Sequence, residues 1–330
     1  MARSDDESDY VVRAQAVGLE QIPVVDFQAF VTGDLQGQAA AAGAIAEACQ
    51  EIGFFYLKNH GVPAQDVSAL RQQSGDFFAR PLAERALSAA TSDWYRGWMD
   101  LSKVGLSKRS REIESYRIQV EHPRQIGADR RTQHLYAPNR WPEDMPEFRA
   151  AAELYFQHMT TLSARLRQAF ALGLGLPRDR FDGYFDDPIY QLTLLHYGAI
   201  PPEEIDAVNT TPHTDEGPFT ILWQDEVGGL EVKRRDGQWI AAPPIDDTFV
   251  INVGDMLMWW SNGRFLSNLH KVRNTSGRER YSIPFFANPD ARATVEPLPE
   301  FVAIDGRANY PPADVGDCMM KYAPKEAASA

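Results

Sequence analysis

Between Tyr190 and Phe286 the chain is a succession of short segments with alternating polarity, separated by turns that contain glycine. Many short strands joined by such turns predict a closed barrel or a double-sheet β-architecture. Within this stretch, His213 and Asp215 are one residue apart, so on an extended segment their side chains point to the same face. His270 lies far downstream in another strand-like segment. The fold is therefore expected to bring three polar side chains together.

Two imidazoles and one carboxylate are ligands that suit Fe(II) and hold it less tightly than thiolates would. Three protein ligands on one face of a metal leave the opposite coordination positions open, an arrangement that is typical of non-heme iron(II) sites. We therefore predict that His213, Asp215 and His270 bind Fe(II).

A second pair with one-residue spacing, Arg280 and Ser282, follows the second histidine. Arginine presents a planar fork of donors that a carboxylate accepts in pairs, and the serine hydroxyl adds one more donor. The open metal positions can take a bidentate 2-oxo acid and O2. We predict that Arg280 and Ser282 bind the far carboxylate of that oxo acid.

The same stretch resembles the catalytic core of the isopenicillin-N-synthase-like family of iron(II)- and 2-oxoglutarate-dependent oxygenases. The motifs that carry the resemblance are His213-Thr-Asp215, Gln224-Asp-Glu-Val-Gly-Gly-Leu230, Asn252-Val-Gly-Asp255, Ser261-Asn-Gly-Arg264, His270 and Arg280-Tyr-Ser282. The resemblance implies a mainly β protein with flanking helices, built on a double-stranded β-helix (jelly-roll) barrel. It also implies Fe(II), with 2-oxoglutarate and O2 as co-substrates, and a contact between Tyr197 and the oxo-acid carboxylate. We interpret Asn252 and Asp255 as turn and strand-end residues.

The resemblance further implies oxidation at a C–H bond of a small molecule, by hydroxylation, desaturation or oxidative cyclisation, with release of succinate and CO2. Two alternatives stay open. Isopenicillin N synthase itself and the plant oxidase that makes ethylene resemble this core without consuming 2-oxoglutarate, so succinate formation separates them from the main hypothesis. The second alternative is a non-catalytic jelly-roll binding protein, which an absence of substrate-triggered O2 uptake would support.

Two groups of residues are candidate substrate contacts. Alternation along the strand of Arg280, and along that of Tyr197, adds residues that face the same interior. Residues 94–117 are basic and aromatic within an acidic chain, and we expect them to form a lid over a small, carboxylate-bearing substrate; the alternative is a solvated loop. The candidates are Thr193, Phe286, Asn288, Tyr95, Arg96, Trp98, Tyr116 and Arg117.

The chain divides into five predicted regions that we expect to form one compact unit. They are a flexible lead-in over 1–20, an N-terminal α/β region over 21–135, a helical connector over 136–189, a catalytic jelly-roll core over 190–295 and a C-terminal cap over 296–330. Apolar spacing predicts a long helix over 148–172, with Leu154, Met159, Leu162, Leu166 and Phe170 at its apolar positions.

Charge and composition restrict the partners. A net charge of −13 over 330 residues argues against nucleic acid as a generic partner. No apolar run approaches the ~18 residues of a membrane helix, and the acidic N-terminus is not a secretory signal. Cys49 and Cys318 make no disulfide framework. We therefore expect a cytoplasmic enzyme that acts on a small molecule and binds neither nucleic acid nor membrane.

Overall fold

A computed structural model describes residues 22–91, 95–101, 113–121, 130–199, 209–274 and 276–321. The predicted lead-in over 1–20 lies outside the described residues. The strands are β1 Val24–Asp26, β2 Phe54–Lys58, β3 Gly97–Asp100, β4 Ile113–Gln119, β5 Gln191–Tyr197, β6 Thr210–His213, β7 Phe219–Gln224, β8 Leu230–Lys233, β9 Trp239–Ala241, β10 Thr248–Val253, β11 His270–Val272, β12 Arg280–Phe286, β13 Thr294–Val295 and β14 Ala313–Asp314. The α-helices are α1 Gln28–Thr32, α2 Leu35–Glu51, α3 Ala64–Phe78, α4 Leu82–Arg85, α5 Arg130–Tyr136, α6 Pro146–Gly173, α7 Asp255–Trp260, α8 Pro299–Asp305 and α9 Val315–Met320, with 3-10 turns at Ala86–Ser88 and Asp182–Tyr184.

Two sheets form the body of the protein. The larger has eight strands in the order β1-β2-β10-β7-β12-β5-β4-β3, and the smaller has four in the order β6-β11-β8-β9. Strands of both sheets line one common cavity. The predicted double-stranded β-helix (jelly-roll) with flanking helices is confirmed. The N-terminal region supplies β1 to β4 to the same sheet that carries the predicted core strands.

The larger sheet is buried on both faces because its residues alternate between two apolar clusters. On β2, Phe55 and Leu57 belong to the cluster that includes the helices, whereas Phe54 and Tyr56 belong to the cluster shared with the smaller sheet. The side chains that face the smaller sheet therefore surround the cavity, and those on the opposite face anchor the helical layer.

Helix α6 is the longest helix and agrees with the segment predicted over 148–172. Pro146 stands at its start, where a missing backbone N–H costs nothing. Met159, Leu162, Leu166 and Phe170 are buried as expected, but Leu154 is 42% exposed. Within the described ranges, none of the helices combines the length and the apolarity that crossing a bilayer requires.

One short helix interrupts the region where strands were predicted. Helix α7 begins at Asp255, which we had interpreted as a strand-end residue, while Asn252 lies inside β10. The segment Asp255–Trp260 contains no alternation of polar and apolar residues, and Met256, Leu257 and Trp260 are all buried. A helix can bury these side chains together against the neighbouring layers. A strand with one polar face would expose every second one of its residues.

We predict that Leu166→Ala lowers the free energy of unfolding by about 2–5 kcal/mol, because it leaves a cavity in place of a fully buried side chain. Leu154→Ala removes the same atoms from an exposed site on the same helix and should change stability by roughly 0.5 kcal/mol or less. Urea unfolding of both variants measures the difference. Equal losses would contradict the packing described for α6.

Candidate active site

A cavity of about 350 Å³ lies between the two sheets. It brings together all six residues that the sequence assigned to iron and 2-oxoglutarate and four of the eight candidate substrate contacts. The lining residues from these predictions are His213, Asp215, His270, Arg280, Ser282, Tyr197, Thr193, Phe286, Asn288 and Arg117. The alternation predicted along β12 is regular, since its pairing with β5 and β7 contains no bulge.

The two histidines and the aspartate meet at one side of this cavity. One ligand atom from each of His213, Asp215 and His270 lies within 4.8 Å of the others. Asp215 Oδ1 is 3.9 Å from His213 Nε2 and 3.8 Å from His270 Nε2. His270 on β11 is the direct cross-strand partner of His213 on β6. The smaller sheet thus sets the separation of the imidazoles.

Both imidazoles are oriented by backbone carbonyls. His213 Nδ1 lies 2.8 Å from the Thr211 carbonyl oxygen, and His270 Nδ1 lies 3.4 Å from that of Asn268. A proton on Nδ1 that is donated to a carbonyl leaves the Nε2 lone pair free for a metal. The Nε2 atoms are the ones that face Asp215. Two neutral nitrogens and one carboxylate oxygen around a common point fit Fe(II).

The ionisation states also suit metal binding at neutral pH. Burial, and then the neighbouring His213, lower the pKa of His270 to about 4, so its imidazole is neutral and able to coordinate. Burial alone would raise the pKa of Asp215. His270, His213 and the hydrogen bonds from Thr220 and Asn252 outweigh that effect and hold this pKa below its usual value.

Two neighbours of Asp215 were missed as site residues by the sequence reasoning. Thr220 Oγ1 and Asn252 Nδ2 both donate to Asp215 Oδ2, at 2.5 Å and 2.8 Å. In addition, the Asp255 N–H donates to the Asp215 carbonyl oxygen at 2.8 Å. The signal was present in the Asn252-Val-Gly-Asp255 motif. Asn252 on β10 and Asp255 at the start of α7 both contact Asp215, a relation that the sequence spacing did not reveal.

At another part of the cavity, Arg280 is a buried cation with 1% of its surface exposed. Its Nη1 donates to Ser282 Oγ at 3.0 Å, its Nε donates to the Gly228 carbonyl, and its guanidinium lies 4.7 Å from the Tyr197 ring centre. No carboxylate in the described part of the chain forms an ion pair with it. A buried guanidinium next to a hydroxyl and facing a cavity is a site for an anionic group.

Arg117 is a second cation at the cavity wall. Its guanidinium carbon lies 4.0 Å from the Tyr95 ring centre, and Tyr95 stacks in turn on His134, with 5.6 Å between ring centres. Its Nε finds no hydrogen-bond partner, and no carboxylate among residues 22–91, 95–101, 113–121, 130–199, 209–274 and 276–321 pairs with it. Burial lowers the pKa of Arg117, but an arginine remains charged at neutral pH.

The other four residues that we had assigned to substrate do not line the cavity. The Tyr95 ring instead packs against the guanidinium of Arg117. Arg96 is fully buried and donates to the backbone carbonyls of Leu135 and Val120. Trp98 and Tyr116 face the helical layer, where Trp98 Nε1 donates to Glu114 at 2.9 Å. The Tyr116 ring packs on Phe77 and Phe148.

The reason for this correction is the alternation of β4. Tyr116 and Arg117 are consecutive on a strand, so their side chains point to opposite faces, and only Arg117 faces the cavity. The two ends of the predicted lid belong to the larger sheet, where β3 is the edge strand and β4 lies between β3 and β5. Its middle, residues 102–112 with the basic run, lies outside the described residues, and a lid there stays a prediction.

Polar residues beside Arg117 complete the cavity wall. Gln119 Nε2 donates to Gln191 Oε1 at 2.7 Å, and Gln191 Nε2 donates to Thr193 Oγ1 at 3.1 Å. Gln191 shares a strand face with Thr193 and Tyr197, so the alternation of β5 was the signal that places it in the cavity. The contribution of Met319, from helix α9, could not be inferred from local pattern because it depends on how the C-terminal segment folds back.

Comparisons with known proteins agree with this geometry. Residues 22–144 match the family described as non-haem dioxygenase in morphine synthesis N-terminal, and residues 189–289 match the 2OG-Fe(II) oxygenase superfamily. A 1-aminocyclopropane-1-carboxylate oxidase of Dictyostelium mucoroides is 32% identical over 331 residues, which cover 89% of each protein. A 2-oxoglutarate-Fe(II) type oxidoreductase of Metarhizium rileyi is 35% identical over 288 residues, 81% of this chain and 77% of that one.

A solved structure shows the same similarity in three dimensions. A full-length Neurospora crassa protein, crystallised in complex with alpha-KG and 5-formyluracil, has a TM-score of 0.81 and 30% identity, covering 94% of this chain and 99% of that chain. With the jelly-roll and the histidine–aspartate–histidine cluster, these similarities define the class, and the chain belongs to the 2OG-Fe(II) oxygenase superfamily. The protein is a dioxygenase that uses Fe(II), 2-oxoglutarate and O2 to oxidise a small molecule.

Proposed function

We propose that His213, Asp215 and His270 hold the Fe(II) of this oxygenase. The observation that carries the proposal is the convergence of His213 Nε2, His270 Nε2 and Asp215 Oδ1 within 4.8 Å of one another at the cavity wall. Iron and O2, with decarboxylation of 2-oxoglutarate to succinate and CO2, supply the oxidising chemistry at a C–H bond. The protein residues hold the reactants in place and exclude water from them.

His270→Ala should lower the iron content after anaerobic reconstitution and abolish 2-oxoglutarate turnover, because it removes a buried neutral donor from the cluster. His196→Ala is a matched control, because His196 lies on the face of β5 that points away from the cavity, where it contacts Phe78 and Tyr281. Iron analysis and succinate assays measure both effects. A His270→Ala protein with full iron and normal turnover would refute the ligand assignment.

We further propose that Arg280 and Ser282, with Tyr197, bind the distal carboxylate of 2-oxoglutarate. The support is the buried guanidinium, which lacks an ion-pair partner in the described residues and already donates to Ser282 Oγ. A second donor position of the same guanidinium remains for an anion. The neighbouring Tyr197 ring excludes water, which strengthens a charge-assisted bond.

Arg280→Ala should weaken apparent affinity for 2-oxoglutarate by roughly 30-fold or more, since a desolvated charge-assisted pair contributes on the order of 2–4 kcal/mol. Arg264→Ala removes an arginine that pairs with Asp305 outside the cavity and should leave the affinity unchanged. Succinate formation against 2-oxoglutarate concentration measures both. Unchanged dependence in Arg280→Ala would contradict the assignment, and a wild-type protein that makes no succinate would favour the oxidase alternative.

For the primary substrate, we propose a small molecule that carries a carboxylate, bound by Arg117. A cation at the cavity wall, with no carboxylate partner in the described residues, is costly unless a ligand neutralises it. The Tyr95–His134 stack holds its guanidinium against the wall. Thr193, Phe286 and Asn288 would then contact the rest of the molecule. The Dictyostelium relative supports this proposal, since the compound in its name is itself a carboxylate.

A panel of small carboxylic acids and their matched amides tests this specificity, with 2-oxoglutarate consumption as the readout. Acids should stimulate the wild-type enzyme and amides should not. Arg117→Met should raise the KM of a stimulating acid by roughly 30-fold or more, because a charge pair inside the cavity is lost, while Arg149→Met, at an exposed pair with Glu153, should not. Equal stimulation by acids and amides would refute the carboxylate proposal.

We also propose a cytoplasmic location. Cys49 and Cys318 are both free thiols and both buried. Proteins in reducing compartments keep their cysteines in this form.

A further inference from the structure

The Asp215 carboxylate is held at one of its two oxygens by a pair of neighbouring strands. Thr220 on β7 and Asn252 on β10 both donate to Oδ2, at 2.5 Å and 2.8 Å. Oδ1 receives no hydrogen bond from the described residues. It is instead the oxygen that faces His213 Nε2 and His270 Nε2, at 3.9 Å and 3.8 Å. The two carboxylate oxygens are therefore chemically distinct.

This difference bears on how the carboxylate can bind a metal. A carboxylate oxygen has two lone-pair sites, and two donors on Oδ2 occupy both. Carboxylates coordinate metals through one oxygen or through both. Chelation through both would use one of the positions that a bidentate oxo acid and O2 need. On the basis of the proposed iron site, we propose that Thr220 and Asn252 are positioning residues that restrict Asp215 to coordination through Oδ1 alone.

The surrounding structure makes the pair rigid. Asn252 and Thr220 are direct cross-strand partners on inner strands of the larger sheet, and both side chains are buried. The backbone of the aspartate is held as well, because the Asp255 N–H donates to its carbonyl oxygen. Gly254 packs so closely on the Asp215 and Gly217 carbonyls that a side chain there has no space. Rotation of the carboxylate would break both of its hydrogen bonds.

The competing explanation is that Thr220 and Asn252 only satisfy a buried carboxylate and stabilise the fold. Both explanations predict some loss of stability when the donors are removed. Only the positioning role predicts a change in metal affinity and in the number of oxygens that contact the metal, so those two quantities decide between them.

Three variants separate the explanations. Thr220→Val keeps the shape of the side chain without the hydroxyl, Thr220→Ser keeps the hydroxyl, and Asn252→Leu removes the amide donor. Thr248→Val on β10 is the control, because that hydroxyl donates to the Ile245 carbonyl away from the site. Anaerobic calorimetric titration of the full-length proteins with Fe(II), without 2-oxoglutarate, measures metal affinity independently of turnover.

Thr220→Val and Asn252→Leu should each weaken Fe(II) binding by roughly 10–100-fold, the usual effect of losing a partner that orients a ligand. Thr220→Ser and Thr248→Val should bind as the wild type does. Crystals of Thr220→Val soaked with Co(II) should show both Asp215 oxygens in contact with the metal, whereas wild-type crystals should show Oδ1 alone.

Wild-type affinity in Thr220→Val, or equal loss in Thr220→Val and Thr220→Ser, would overturn the positioning role. So would contact through both oxygens in the wild-type crystal. The comparison of Thr220→Val with Thr220→Ser decides the question even if Asn252→Leu does not fold, since each of these two variants differs from the wild type by a single atom or group. A wild-type protein that binds no Fe(II) would be a failure of the proposed iron site itself, and is recognised separately.

Discussion

The pairing of Thr220 with Asn252 across β7 and β10 is the contact on which the site depends. The same register places Phe286 beside Thr220 and Phe54 beside Asn252, so one cross-strand row runs beside the cluster of His213, Asp215 and His270. Phe54 packs edge-on against His270, with 5.5 Å between ring centres. Since strand side chains alternate, a slip of one residue would turn the whole row away from the cavity. The apolar packing on both faces of the sheet holds that register.

Two arginines at the cavity wall differ from the outer arginines in their partners. Arg280 and Arg117 are cations without carboxylate partners in the described chain, whereas outer arginines such as Arg80 and Arg292 pair with acidic neighbours. A folded protein gains no stability from a desolvated, unpaired cation. The two proposed anionic ligands, the distal carboxylate of 2-oxoglutarate at Arg280 and a substrate carboxylate at Arg117, would balance these charges. Binding each anion would offset the cost of holding an unpaired guanidinium at the cavity wall.

Segment 94–117 shows where sequence reasoning reached its limit. Its arginines and aromatic rings were correctly noticed, but composition does not say which of them share a face. Arg96 and Arg117 have the same chemistry, yet Arg96 donates to backbone carbonyls in the interior while Arg117 faces the cavity. The pairing of β4 with β5, which aligns Arg117 with Thr193, makes the difference.

The sequence by itself determined the ligand types, their strand-like spacing, the Arg280–Ser282 pair and the jelly-roll class, because these depend on chemistry within a few residues or on motifs that recur together. Only the tertiary structure decided that Thr220 and Asn252 hold Asp215, and that Arg117 rather than Arg96 faces the cavity. These contacts join Asp215 to Thr220, five residues along the chain, and to Asn252, 37 residues along it, on two different strands. They arise from the register between strands, which buried apolar packing sets and which no local pattern encodes.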